Sequence, residues 1–277
     1  MTIQDIVKIL TNSGIEPNEA KVEVKLLLEY FANYGVKDII LENKLDEKKL
    51  ELVKEKAELR AKTRQPIQHI IGFASFMGED FIVNPSVLIP RDETEILVKQ
   101  AVDIINKNNL KMALDIGTGS GCIACMIAKH TDCQILGIDI SLEALNTALD
   151  NASRLNLFNK AIFRKSNLFE KIKEKFDIII SNPPYIPKSE KEKLQKEVQF
   201  DPETALFTED EKGLEYYQKI SKEAPQHLNK NGYLLFEAGF GQADDIEDIL
   251  KTNGFVDTEI IQDLAGIDRV VVGKLCN

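Results

Sequence analysis

A mostly apolar run from Met112 to Ile116, broken by Asp115, ends in Gly117-Thr118-Gly119-Ser120-Gly121 and passes directly into a second apolar stretch opening at Cys122. Three alternate glycines at that point demand a tight turn through backbone conformations that other residues avoid. A strand, such a turn and a helix together begin a parallel βαβ unit. Gln134 to Ile138 supplies the second strand, and Asp139 stands at its end, 22 residues after Gly117. A carboxylate there can accept hydrogen bonds from both hydroxyls of a ribose, so the unit predicts an adenosine-containing cofactor. The dinucleotide fingerprint is excluded, because its sixth position is Cys122, and no Gly-Lys-Ser/Thr ending makes a phosphate loop. The helix after the turn is expected to aim its free N–H groups at the ligand.

The surrounding pattern fits one α/β domain. Helices are predicted over 93–105, 121–129 and 142–156, and strands over 112–116, 134–138, 161–164, 176–181, 232–237, 255–261 and 269–273. Such alternation gives a mostly parallel, Rossmann-like seven-stranded sheet with helices on both faces. Upstream the period is helical. Ile3, Ile6, Val7 and Leu10 share one stripe and Val22, Leu26, Leu27 and Tyr30 another, with Asn18 as the expected N-cap of the second helix. A third segment, 46–59, is heavily charged and reads as a solvated face over Leu50, Val53 and Ala57. The expected division is a small all-helical domain at 1–72, a β-hairpin linker at 73–90 and the α/β domain at 91–277.

Charge narrows the partners. The chain of 277 residues carries 35 Lys and Arg against 45 Asp and Glu, a formal net charge of -10. Non-specific nucleic-acid binding draws on counterion release by clustered cations, so direct nucleic-acid binding is not expected. Met1 to Leu10 is interrupted by Asp5 and Lys8 and lacks a small-residue cleavage site, which argues against a signal peptide. No apolar run approaches a membrane span. Four cysteines in a chain of this length suit reduced thiols, and a cytoplasmic monomer is expected. Cys122 and Cys125 form C-x-x-C on a helix with no second ligand pair and are read as packing residues. His69, His130 and His227 are too scattered for a metal site, and no metal is expected.

The chemistry sits at the fourth strand of the α/β domain. Phe176 to Ser181 runs into Asn182-Pro183-Pro184-Tyr185, beyond the carboxyl end of the strand where open parallel sheets bind ligands. Two prolines fix the backbone and leave carbonyls free to accept. An Asn oxygen with a rigid proline carbonyl can hold both hydrogens of a planar NH2 group, and the Tyr185 ring can stack on it. Arg91 and Glu93 open the preceding helix, where they either shape the cofactor mouth or serve the helix dipole.

The glycine turn, Asp139 and Asn-Pro-Pro-Tyr together resemble class I S-adenosylmethionine-dependent methyltransferases that act on planar amino groups. Ile70-Ile71-Gly72, Phe81 and Leu88 to Glu95 sharpen the likeness, as do Asp201 to Leu206, Glu237-Ala238-Gly239 with Gln242, and Asp263 to Arg269. With these segments the chain resembles, over essentially its whole length, the peptide chain release factor N5-glutamine methyltransferases. The resemblance implies methyl transfer from S-adenosyl-L-methionine, leaving S-adenosyl-L-homocysteine, to the glutamine of the Gly-Gly-Gln motif in class-1 release factors. It places Gly117, Thr118, Gly119, Ser120 and Gly121 at the methionine end of the cofactor, Asp139 on the ribose, and Asn167 and Leu168 beside the adenine. The family often has an acidic residue where this chain has Asn167. Asn182 would touch cofactor and substrate, with Pro183, Pro184 and Tyr185 forming the substrate pocket. Asn-Pro-Pro-Tyr is shared with adenine-N6 DNA methyltransferases, which need a basic surface for duplex DNA. A non-catalytic adaptor on release factor or ribosome is the third reading.

Overall fold

The computed structural model describes residues 2–41 and 45–276. The chain forms two compact units, one built from residues up to 73 with 195–200, the other from 74–194 and 201–277.

In the first unit, helix α1 (Ile3–Asn12) starts with a reciprocal cap. Thr2 Oγ1 accepts from the Asp5 N–H, and the Asp5 carboxylate accepts from the Thr2 N–H. Helix α2 (Pro17–Leu27) is capped by Glu16, not Asn18 as expected, its carboxylate accepting from Asn18 N at 2.8 Å and Glu19 N at 3.1 Å. Pro17 explains the shift, since a proline suits the first helical position and makes its predecessor the cap. A π turn over Leu28–Ala32 ends at left-handed Asn33, and α3 (Val36–Leu41), α4 (Glu47–Thr63) and α5 (Ile67–Ile71) follow.

The α1 stripe and Leu50, Val53 and Ala57 of α4 are buried as expected, but Val22 and Tyr30 are 59% and 39% exposed. The inward face of α2 is instead Ala20, Glu23, Val24 and Leu27. A glutamate can lie on that face because α4 supplies Arg60, itself 1% exposed. Arg60 donates to Glu23 through Nε at 3.0 Å and Nη2 at 2.9 Å, and to Glu197 through Nη1 at 3.0 Å. The charged helix is therefore more than a solvated face.

The second unit begins within the two-stranded pair β1 (Phe73–Phe76) and β2 (Glu79–Ile82). Then follow α6 (Thr94–Asn108), β3 (Met112–Ile116), α7 (Cys122–His130), β4 (Gln134–Asp139), α8 (Leu142–Arg154), β5 (Ala161–Lys165) and β6 (Phe176–Ser181). After a short pair, β7 (Ile186–Pro187) and β8 (Phe207–Thr208), which flanks the one-turn α9 (Glu203–Leu206), come α10 (Glu215–His227), β9 (Leu228–Glu237), α11 (Ala243–Thr252), β10 (Phe255–Gln262) and β11 (Asp268–Leu275).

The central sheet has seven strands in the order β10-β11-β9-β6-β3-β4-β5, parallel except for β11, which runs antiparallel to both neighbours. Apolar cores lie on both faces, as a sheet of near-continuous Val, Ile and Leu strands requires. The order in which strands are added reverses between the parallel β3 and β6, where Ile116 is opposite Ser181, so both functional motifs emerge at the topological switch. Ser181 Oγ donates to the Ile116 carbonyl at 2.8 Å and ties these strand ends together.

Asn151 of α8, 1% exposed, fixes the loop end of this unit. Its Nδ2 donates to the carbonyls of Ile82 and Ser120 at 3.0 and 2.9 Å, and its Oδ1 accepts from Ile82 N at 2.7 Å. Asn151→Ala strands all three backbone groups and is expected to cost about 1–3 kcal/mol, read by urea denaturation. No helix among the described residues is long and apolar enough to cross a membrane.

Candidate active site

A cleft opens at the carboxyl ends of β3, β4 and β6. Gly117 and Gly119 form one wall, with Asp139 beside them. The Asp139 carboxylate accepts from Gly119 N at 3.0 Å and Ser141 N at 2.9 Å. Burial raises its pKa above the ordinary value, opposed by the N–H groups of Ser141, Gly119 and Ile140. Each oxygen keeps acceptor capacity toward the cleft. Asn167 and Leu168 lie further along the wall. Asn167 Nδ2 donates to Glu170 at 2.9 Å, which leaves its oxygen as the acceptor and brings a carboxylate close to this part of the wall. Leu168 is left-handed at φ 46°, held there as Ser166 Oγ donates to its carbonyl at 2.8 Å.

Thr118, Ser120 and Gly121 support the wall from behind. Thr118 Oγ1 donates to Asp115 at 2.6 Å, and Ser120 is 2% exposed. Gly121 begins α7 at φ +77°, where a Cβ would come within 2.9 Å of Ala148 Cβ. The helix end differs from expectation. Asp115 is fully buried, and accepts from Thr118 through Oδ2 while Oδ1 has no hydrogen-bond partner among the described residues. Its carboxyl is pushed up to about 7 by desolvation, which the N–H of Ala124 in α7 opposes. The first turn of α7 thus meets a carboxylate of the protein itself. Gly117 N and Thr118 N are also engaged, both donating to the Ile138 carbonyl at 2.9 Å. Sequence reasoning passed over Asp115 because a strand-end Asp before a glycine turn looks solvent-facing until the turn folds across it.

Asn182, Pro183 and Pro184 close the far end of the cleft. Asn182 Nδ2 reaches Thr94 Oγ1 at 3.4 Å. Tyr185 packs behind them, where burial pushes its hydroxyl up to about 12. Gln242 Nε2 donates to the Tyr185 carbonyl at 3.1 Å, and a Cβ on Gly239 would sit 2.9 Å from the Tyr185 ring and 2.2 Å from Gln242 Oε1. A side chain there would have to displace Gln242 and press on the Tyr185 ring. The outer wall includes Thr204 and Ala205, anchored by Asp201, whose Oδ2 accepts from Arg91 at 2.7 Å. Arg91 thus fastens this wall. Glu93 meets Arg269 at 3.4 Å, and Arg269 in turn meets Asp263 at 2.9 Å.

Cys122 and Cys125 are buried, with desolvation raising both thiols, Cys122 to about 12. That suits packing and opposes thiolate chemistry. Among the described residues no group of His, Cys, Asp and Glu is arranged to hold a metal.

The residues fit an adenosine-bearing cofactor, with an acceptor-only carboxylate at the cleft, a side-chain-free loop beside it and an apolar continuation at Leu168. Sheet order, loop and site define a Rossmann-like S-adenosylmethionine-dependent methyltransferase. The family described as "Methyltransferase small domain" matches residues 92–201. A solved methyltransferase structure from Pyrococcus furiosus superposes with a TM-score of 0.54 at 21% identity, covering 73% of this chain and 92% of that one, a likeness of fold alone. The release factor glutamine methyltransferase of Neisseria gonorrhoeae is 36% identical over 92% of this chain and 93% of its own length. That of Fusobacterium nucleatum is 42% identical over 80% of this chain, which spans 63% of that longer protein. The chain belongs to the release factor glutamine methyltransferase family.

Proposed function

We propose that the chain methylates the side-chain amide nitrogen of the glutamine in the Gly-Gly-Gln motif of class-1 peptide chain release factors. The observation that carries this reading is the rigid Asn182-Pro183-Pro184 corner at the end of a cleft whose other end presents Asp139. Gly117, Gly119 and Asp139 hold the methionine and ribose parts of the cofactor, with Thr118, Ser120 and Gly121 shaping the loop and Asn167 and Leu168 bordering the adenine.

An amide nitrogen is a poor nucleophile because its lone pair is delocalised into the carbonyl. S-Adenosylmethionine, when bound, supplies a methyl already activated by its sulfonium. The protein adds alignment. Asn182 Oδ1 and the Pro183 carbonyl accept the two amide hydrogens and direct the nitrogen along the line of transfer. Both hydrogen bonds strengthen as positive charge develops on nitrogen, which is stabilisation specific to the transition state. The proton leaves to solvent after transfer, and S-adenosylhomocysteine remains. Tyr185 backs the corner, and the N-terminal helices recognise the folded substrate beyond the reacting glutamine. The enzyme acts in the cytoplasm as a monomer without a metal.

Labelled S-adenosylmethionine incubated with a purified release factor, its Gly-Gly-Ala variant and duplex DNA tests this. Label is expected in the unmodified release factor alone. Label in DNA alone would establish an adenine methyltransferase, and cofactor binding without any transfer would establish an adaptor.

A further inference from the structure

Glu237 is the last residue of β9 and 4% exposed, yet its Oε2 has no hydrogen-bond partner among the described residues. Its place follows from strand register. Ser181 lies opposite Phe236 in the parallel β6–β9 pair, so Asn182 and Glu237 leave the sheet side by side. Thr94 and Asn182 are the polar side chains beside it that favour its charged form, and Asn182 Nδ2 reaches Thr94 Oγ1 at 3.4 Å. A buried carboxylate without a lysine or arginine bonded to it is costly, and such groups concentrate where chemistry needs them.

An ionised carboxylate only accepts hydrogen bonds, whereas an Asn amide has one donating and one accepting edge. Beside Glu237 the donating edge must turn inward, and the accepting edge then faces the cleft. That is the orientation an incoming glutamine NH2 requires. We propose that Glu237 is the positioning residue for Asn182, its carboxylate selecting the one amide orientation in which Oδ1 receives the substrate. The inference rests on the glutamine-methylation reading and adds to it a switch. Protonated Glu237 can donate to Oδ1 as readily as accept from Nδ2, so the selection is lost.

Burial pushes the Glu237 carboxyl up to about 7, with Glu93 raising it further and Thr94, Arg269 and Asn182 lowering it. Three other titratable neighbours are raised far above neutrality. Cys122 and Tyr185 are raised to about 12, and Tyr217, whose hydroxyl donates to the Glu237 carbonyl at 2.9 Å, is raised well above 10. Asp115 is the exception, since it too is raised to about 7. Because the ionised carboxylate is the selecting form, kcat increases as pH rises through the Glu237 midpoint.

Two measurements test this. In ligand-free protein, the Asn182 side-chain NH2 resonances are followed from pH 5 to 9 in the wild type and in Glu237→Gln. A wild-type midpoint near 7 that vanishes in the variant is expected, and Asn182 signals that do not titrate overturn the proposal. In parallel, kcat for the release factor is measured across the same range. Glu237→Gln is expected to lose about tenfold to a hundredfold in kcat at pH 8 and to flatten the profile, with cofactor affinity unchanged. Glu237→Asp, which keeps the carboxylate, is expected to restore the step. A step that survives in Glu237→Gln belongs to Asp115 and overturns the proposal. If the wild type transfers no methyl to release factor, the glutamine reading itself fails, whereas the Asn182 titration speaks to Glu237 alone.

Discussion

Replacing Asn182 with alanine is expected to lower kcat for glutamine methylation by about 10²–10³-fold, the usual effect of removing one hydrogen bond tuned to the transition state. Cofactor affinity should stay within about threefold, because Asp139 and the glycine loop remain in place. The split separates alignment from binding. The asparagine follows β6, whose end is held by the Ser181–Ile116 hydrogen bond, so the alanine variant should fold normally. A variant that keeps its affinity and loses less than tenfold in kcat would show that the Pro183 carbonyl and the cofactor align the amide without it.

Asp139→Ala should act on the other end of the cleft. Two charge-assisted hydrogen bonds to a ribose are worth together about 3 kcal/mol, so the Kd for S-adenosylmethionine should rise about 10²-fold by calorimetry. A change in stability should accompany it, because Gly119 N and Ser141 N both donate to this carboxylate and lose their acceptor. Asp139→Asn keeps an acceptor and should recover part of the affinity. Unchanged binding in both variants would remove Asp139 from the cofactor site.

Much of this arrangement is legible in the sequence because it depends on local rules. Alternate glycines after an apolar run force the β3–α7 turn, and the apolar strands between helices force a largely parallel sheet, whose switch point then brings Asn182 to the same end as Gly117. What is hidden depends on partners distant along the chain. Arg60 looks like one more charge on a solvated helix until Glu23 and Glu197 are placed against it. Val22 and Tyr30 fall on a helical stripe, yet the stripe that Arg60 and the α1 core select is a different one. Glu237 reads as the polar end of a strand, and only the β6–β9 register gives it Asn182 as a neighbour. Asp115 and Thr118 show the same limit within four residues, since the fold of the turn decides whether they face the ligand or each other.

One consequence of the chain path concerns dissection of the protein. Residues 195–200 belong to the helical unit, where Glu197 meets Arg60, while Asp201 belongs to the catalytic unit and holds Arg91. The two units are therefore not beads on a string joined by a single tether. A chain cut before Ala74 would keep its glycine loop and its Asn182 but leave a six-residue stretch shorn of its packing, directly upstream of the residues that wall the cleft. Protease nicking within that stretch offers a ready gauge of the helical unit's integrity, and residues inherited as one continuous gene segment answer here to two separate folding neighbourhoods.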